Sequence, residues 1–253
     1  MRKPLPFSVC LVMAISLAAG QAKQPQPKSQ KEVDAILAIQ NAPDPDSRIK
    51  AAEDLLKNFA DTEFKAFAYT MAAAAAQMKN DFDKMFLYAE KTLEVDPQNY
   101  SAMIMLASGI PQRTREFDLD KEEKLAKAEK YARTAAESIK TAEKPRPDIT
   151  DEQWESARKD VTSQTHEAMG LIAMARKKYD VAIKEFKNSI EVGASPDPTT
   201  KVRLAAAYNS NGNFDEAIAT ADQVMADPQL DPTLRQFAQQ EKTRAQQSKA
   251  AKK

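Results

Sequence analysis

Neutral-pH chemistry draws on histidine, cysteine, paired carboxylates and metal ligands, and this sequence offers few of them. Histidine occurs once, at His166. A general base needs a nucleophile beside it and an acid to orient its ring. Glu167 and Asp160 are near in sequence, but neither shares the histidine's helical face well. One histidine without a companion cysteine also falls short of the familiar zinc sites. No Gly-x-Ser-x-Gly motif is present, and five scattered glycines cannot form a phosphate-cradling loop. The acid pairs Asp44/Asp46 and Asp118/Asp120 lack the further acids and central glycine of a calcium loop, so they are expected to cap helices. Glu122-Glu123 and Asp151-Glu152 fall in first helical turns, where acids offset the helix dipole. The inventory predicts no catalysis, no cofactor and no metal, with His166 a core or interface residue.

The elements that would carry these residues are helical. Glycine is scarce while alanine, lysine, glutamate and glutamine abound, and such residues lose little rotamer freedom in a helix. Few stretches show the alternating β-branched pattern of a strand, so the fold class is all-α. The formal charge is zero; without Arg2 and Lys3 it is −2, 37 acids against 35 bases. No basic stripe interleaves with aromatics, which excludes nucleic acid as the expected partner. The basic run Lys242 to Lys253 reads as a solvated helix end.

Residues 1–22 read as an export leader: Arg2 and Lys3 start it, Phe7 to Ala19 form a short apolar stretch, and Gly20-Gln21-Ala22 offers a small-residue exit. The stretch is shorter than the roughly 20 residues of a spanning helix, so membrane contact is expected only if the leader stays uncleaved. The single cysteine, Cys10, lies inside it, which leaves the mature chain without disulfides or thiol chemistry. A periplasmic or secreted protein is the expectation. Residues 23–30 are a polar, proline-bearing spacer, 31–249 a helical domain and 250–253 a disordered tail.

From Lys31 onward helical stretches alternate with breakers such as Pro43-Asp44-Pro45, Asn80-Asp81, Asp96-Pro97, Pro145-Arg146-Pro147 and Gly212-Asn213. About eleven helices result. Phe82-Asp83 leads to Met85 and Ala89, Tyr179-Asp180 to Ala182 and Phe186, and Phe214-Asp215 to Ala217 and Ala221. Ala128 with Ala132, and Ala52 with Leu56, fill the same slots. Ala73, Gly170 and Ala205 each lie 12 residues before Met85, Ala182 and Ala217. Small residues at such places let antiparallel helices approach closely.

This spacing resembles the tetratricopeptide repeat, a helix-turn-helix of 34 residues with small residues at its eighth and twentieth positions. Residues 66–97, 163–194 and 198–228 match best, 100–140 moderately, and 31–60 only in the second helix. The resemblance implies an α-solenoid of about five antiparallel helix pairs, closed by a capping helix from Pro232. Equivalent small positions are spaced 33, 43, 54 and 35 residues apart (52, 85, 128, 182, 217), so insertions are expected near Thr114–Leu119 and at 143–162. Thr150 and Gln153 make a capping box for a long helix from Asp151 to about Lys177. Its first turns are expected to protrude from the stack, carrying Trp154 and Val161.

In proteins with this repeat, the first helix of each pair lines a concave groove that binds an extended peptide or a helix. Carried over by position, the groove residues here are Phe67, Thr70, Ala74, Ile104, Ser108, Leu171, Met174, Val202 and Asn209. The family's carboxylate-clamping groove relies on Lys, Arg and Asn, few of which stand here. The set is apolar with a methionine component, suited to an apolar helix or strand. The expected function is a non-catalytic scaffold for a protein partner in the bacterial cell envelope. The alternatives are a self-assembling structural subunit and an enzyme or accessory module acting on envelope polymers.

Overall fold

A computed structural model describes residues 25–144, 148–195 and 197–251. The expected leader, with Cys10, lies outside them. Eleven helices and no strands occur among the described residues. They fall into two compact units, the first ending at Ala102 and including 142–149, the second holding 103–141 and everything from Thr150.

The first unit contains α1 (Gln30–Gln40), α2 (Pro45–Asn58), α3 (Lys65–Met78), α4 (Phe82–Val95) and the start of α5 (Tyr100–Arg113). α1 packs on α2, α2 on α3 and α3 on α4. Asp44 caps α2, accepting from the Ser47 N–H at 2.9 Å, which satisfies a free first-turn donor. The seam is built from alanine: Ala52, Ala68, Ala72, Ala73, Ala75, Ala76 and Ala89 are fully buried. In α2 the slot expected for Leu56 is taken by Leu55, which is completely buried while Leu56 is half-buried. Tyr69 stacks on Tyr88, whose hydroxyl donates to Glu53. At the N-terminal edge Glu32 is almost fully buried and accepts from the Thr62 hydroxyl and the Lys28 N–H, both at 2.6 Å. The Lys28 ammonium reaches Asp61, and the Gln26 N–H reaches Glu63. Part of the expected spacer is thus tied to the α2–α3 loop.

The second unit continues α5 and adds α6 (Lys121–Thr141), α7 (Asp151–Ala175), α8 (Tyr179–Val192), α9 (Pro198–Asn211), α10 (Phe214–Met225) and α11 (Pro232–Ala251). Ala107, Ala132 and Ala168 join α5, α6 and α7; Leu125, Ala128 and Ile172 continue that seam. Ala173, Ala182, Phe186, Leu204 and Ala207 join α7, α8 and α9. α11 packs on α9 and α10, where Ala238 meets Val224 and Leu230.

One turn recurs in both units. After α3, α7 and α9 a single residue takes a left-handed conformation: Asn80 at φ 56°, Lys177 at 59° and Gly212 at 82°. The next N–H then bonds back five residues, Asp81 to Ala76 O, Lys178 to Ala173 O and Asn213 to Tyr208 O, each at 2.9 Å. This is the physical form of the repeat. After α5 the turn is replaced by the longer 114–120 loop.

The long helix starts as expected, with Thr150 and Gln153 each bonding the other's backbone N–H. Its extension does not protrude. α6 is lengthened too, to 21 residues, and the Arg158 guanidinium donates to the Lys140 carbonyl at 2.8 Å. Trp154 is buried, 7% exposed. Asp160 accepts from the Ala194 N–H at 3.0 Å, closing the end of α8 onto the extension.

Candidate functional site

The candidate chemistry of α7 is spent on helix packing. His166 Nδ1 lies 2.7 Å from Glu185 Oε2 on α8, so its acid partner sits 19 residues away and is neither Glu167 nor Asp160. Glu167 pairs with Arg203 of α9, which ties first helices of adjacent pairs together. Among the described residues no three His, Cys, Asp or Glu side chains gather as a metal site requires. Two bases of the C-terminal run reach acids of α10: Lys242 pairs with Asp222 at 2.7 Å and Lys249 with Asp215.

The nine groove residues divide between the units. Phe67, Thr70 and Ala74 are half-buried along α3 in the first, and the Thr70 hydroxyl is turned back to the Ala66 carbonyl at 2.8 Å. In the second unit Ile104 is interior, 7% exposed, because α5 is buried on several sides; Ser108 is half-buried. Val202 packs against the Val224, Leu230 and Ala238 cluster. Asn209 is also interior: its amide donates to the Glu241 carbonyl and carboxylate of α11 at 2.8 and 2.7 Å, and its Oδ1 is buried without a partner. These two belong to the packing, since a position on the first helix of a pair is covered wherever the next helix crosses it.

Leu171 and Met174 also pack against a core cluster, that of Ala173, Ala182, Phe186, Leu204 and Ala207, but they border open space as well. One helical turn apart on α7, both half-buried, they line a hollow of about 310 Å³ in the second unit. Pro111 and Gln112 from the end of α5, Tyr179 from α8 and Ser210 from α9 also line it. That volume is at the low end of the roughly 300–1,000 Å³ of ligand pockets, enough for a large side chain or a short stretch of peptide. Its lining is mixed: apolar Pro111, Leu171, Met174 and Ala175 stand with polar Gln112, Thr114, Tyr179 and Ser210 and with charged Glu116, Lys121 and Lys177. Glu116, on the 114–120 loop, bonds Lys177 at 2.7 Å and Lys121 at 3.0 Å, and the two ammonium groups hold its carboxyl below the usual carboxylate range. Arg176 is fastened beside Lys177 by Glu129 at 2.6 Å and Glu122 at 3.0 Å, so Glu129 too lies below its ordinary range. These charged groups are thus neutralised in pairs. An apolar side chain could enter without stripping water from an unpaired ion.

Reading by repeat position locates Leu171 and Met174 but misses the charged lining. Lys177 follows the helix, and Glu116 lies in an insertion that no repeat position describes. The charged, loop-forming composition of 113–121 was the available indication.

No family model matches the sequence, and no curated protein matches it. The structure does have solved counterparts. A thermophilic tetratricopeptide-repeat protein of Thermus thermophilus aligns over 83% of this chain and 95% of its own, with a TM-score of 0.57 at 15% identity. A tetratricopeptide-repeat protein from Parabacteroides merdae covers 87% and 91% at 15% identity with a TM-score of 0.42. An assembly chaperone of RpL4 covers 89% and 99% at 12% identity, with a TM-score of 0.43. The first of these, together with the recurring turns and buried small positions, shows the fold.

Proposed function

We propose that this chain, which has the helical-repeat fold of tetratricopeptide proteins, is a non-catalytic scaffold that holds a protein partner in the bacterial cell envelope. The observation that carries the reading is the hollow lined by Leu171 and Met174, whose charged lining residues are paired with one another. A flexible thioether beside a branched side chain adapts to varied apolar shapes, as a receptor for a helix or strand must. Repeat folds of this kind bind through surface complementarity, and His166 and Glu167 of α7 are already engaged with their own neighbours. Placement in the envelope rests on the basic start and apolar stretch of the leader, Arg2 to Ala19.

The test is site-specific photo-cross-linking in the native host. A photoreactive phenylalanine analogue is placed at Ser210, on the wall of the hollow, and in a second strain at Lys187, on the exposed face of α8. A discrete adduct with one envelope protein from position 210, absent from position 187, is the expected result. The same adducts from both positions, or none from 210, would sink the reading.

A further inference from the structure

The loop that replaces the repeat turn after α5 displays two large apolar side chains and anchors the charged ones, the reverse of the usual surface arrangement. Glu116 is bound by Lys177 and Lys121. Asp118 accepts from the Arg115 N–H at 3.1 Å and from Lys124 at 3.2 Å. Between and after these anchors, Phe117 is 92% exposed and Leu119 fully so. Both apolar side chains fall within turns of the loop, between and beside carboxylates tied to their own neighbours. The loop backbone is closed by Asp118 N–H to Arg115 O at 3.3 Å and Lys121 N–H to Asp118 O at 3.1 Å. The pair is therefore held out by its neighbours.

A bilayer is poorly matched to this projection. Around it Arg113, Arg115, Lys121 and Lys124 face Glu116, Asp118, Asp120, Glu122 and Glu123, so it lacks the cationic collar that draws a loop onto anionic lipid. A better-matched receptor lies within the same unit. Glu116 lines the hollow over Leu171 and Met174, and the next residue in the chain is Phe117. A surface carrying a projection and a receptor side by side is self-complementary about a two-fold axis, because each copy then offers what the other lacks. Methionine sulfur is a favourable neighbour for an aromatic ring. A formal charge of zero, or of −2 without Arg2 and Lys3, leaves little net repulsion between copies.

We propose that two copies of this chain associate reciprocally, each seating Phe117, with Leu119 beside it, in the hollow of the other. The proposal rests on the hollow being a receiving surface, as argued above, and names its occupant. It makes self-association compete with any other ligand of the hollow.

Sedimentation velocity of the protein as isolated from its host, from about 1 to about 100 µM, spans the range in which a small reciprocal interface dissociates. The expected result is a monomer–dimer equilibrium. The Phe117→Asp, Leu119→Asp double variant changes only exposed side chains; it should keep wild-type circular dichroism and weaken the dimer at least about tenfold. Ser210→Arg, which narrows the hollow, should do the same. A mixture of the two variants retains one intact contact and should form a heterodimer tighter than either homodimer. A wild-type monomer throughout, a dimer indifferent to both variants, or no heterodimer in the mixture would overturn the proposal. Flotation of the wild type, but not the loop variant, with phosphatidylglycerol vesicles would overturn it in favour of a lipid surface. The photo-adduct from position 210, measured in the double loop variant, separates the two readings: its survival keeps the foreign partner even if self-association fails.

Discussion

The two units use the same turn and the same small buried positions, yet treat helix length and side-chain size differently. In the first, α2, α3 and α4 are 14 residues each and close on one another through alanine. In the second, α6 and α7 reach 21 and 25 residues, and Gly170 stands where the first unit has Ala73. The matching slot on the partner helix is inverted as well, Ala89 in α4 and Phe186 in α8. The volume missing at the glycine is filled by the ring: a methyl group on Gly170 would lie 2.5 Å from Phe186. The repeat thus specifies a sum of volumes across the seam, while additions outside the seam are fastened by caps and ion pairs. Interiors tolerate little change of volume, whereas surface additions cost little.

That comparison breaks first at Gly170. Gly170→Ala should lower stability by about 1–3 kcal/mol, because overpacking against a fully buried ring exceeds the roughly 1 kcal/mol gained in helix propensity. In a Phe186→Leu background the same substitution should cost less. Urea midpoints of the four proteins give the coupling, and simple additivity would show that the two positions do not compensate.

Alkali should separate the units next. Burial pushes the Tyr100 hydroxyl up to about 12, and burial with the Glu53 carboxylate raises Tyr88 to about 12. Both groups are protonated in either state below about 10, so their contribution is intact there. As pH rises from about 10 toward 12 the unfolded chain ionises first and stability falls, by on the order of 2 kcal/mol through Tyr100 alone. Tyrosinate absorbance should lag the ordinary phenol curve until helicity is lost. Parallel, unshifted titration of all tyrosines would contradict this.

The smallest effects belong to the shared turn. Gly212→Ala should cost about 1 kcal/mol, since a β-carbon is strained in the left-handed region. Lys177→Gly should relieve the same strain and raise the melting temperature slightly, unless the contact with Glu116 outweighs it. A drop in both variants would mean that the turn in α7–α8 is held chiefly by that contact.

Asn80 and Gly212 announced their turns because both residue types tolerate a left-handed backbone. Lys177 did not, since tertiary packing overrides its preference. The small positions were readable from spacing alone, and Ala73, Ala128, Ala182, Ala205 and Ala217 are all fully buried. Register within α2 was not, because Leu55 and Leu56 are adjacent and only packing selects one. Partners far apart in sequence were hidden as well: Glu185 for His166, Glu241 for Asn209, and α6 for the extension of α7. Of the groove set, Leu171 and Met174 come together around the hollow, while the loop that rims it is invisible to repeat position.

The bonds around Glu32 carry a mechanical consequence. Lys28 is held by Asp61 and Glu32, and Gln26 by Glu63. A pull on the backbone ahead of residue 26 therefore loads these contacts together, in shear, before α1 can be peeled turn by turn. Force would pass sideways into the α2–α3 loop and on to two helices at once. The segment from Gln26 to Glu32 acts as a clamped joint.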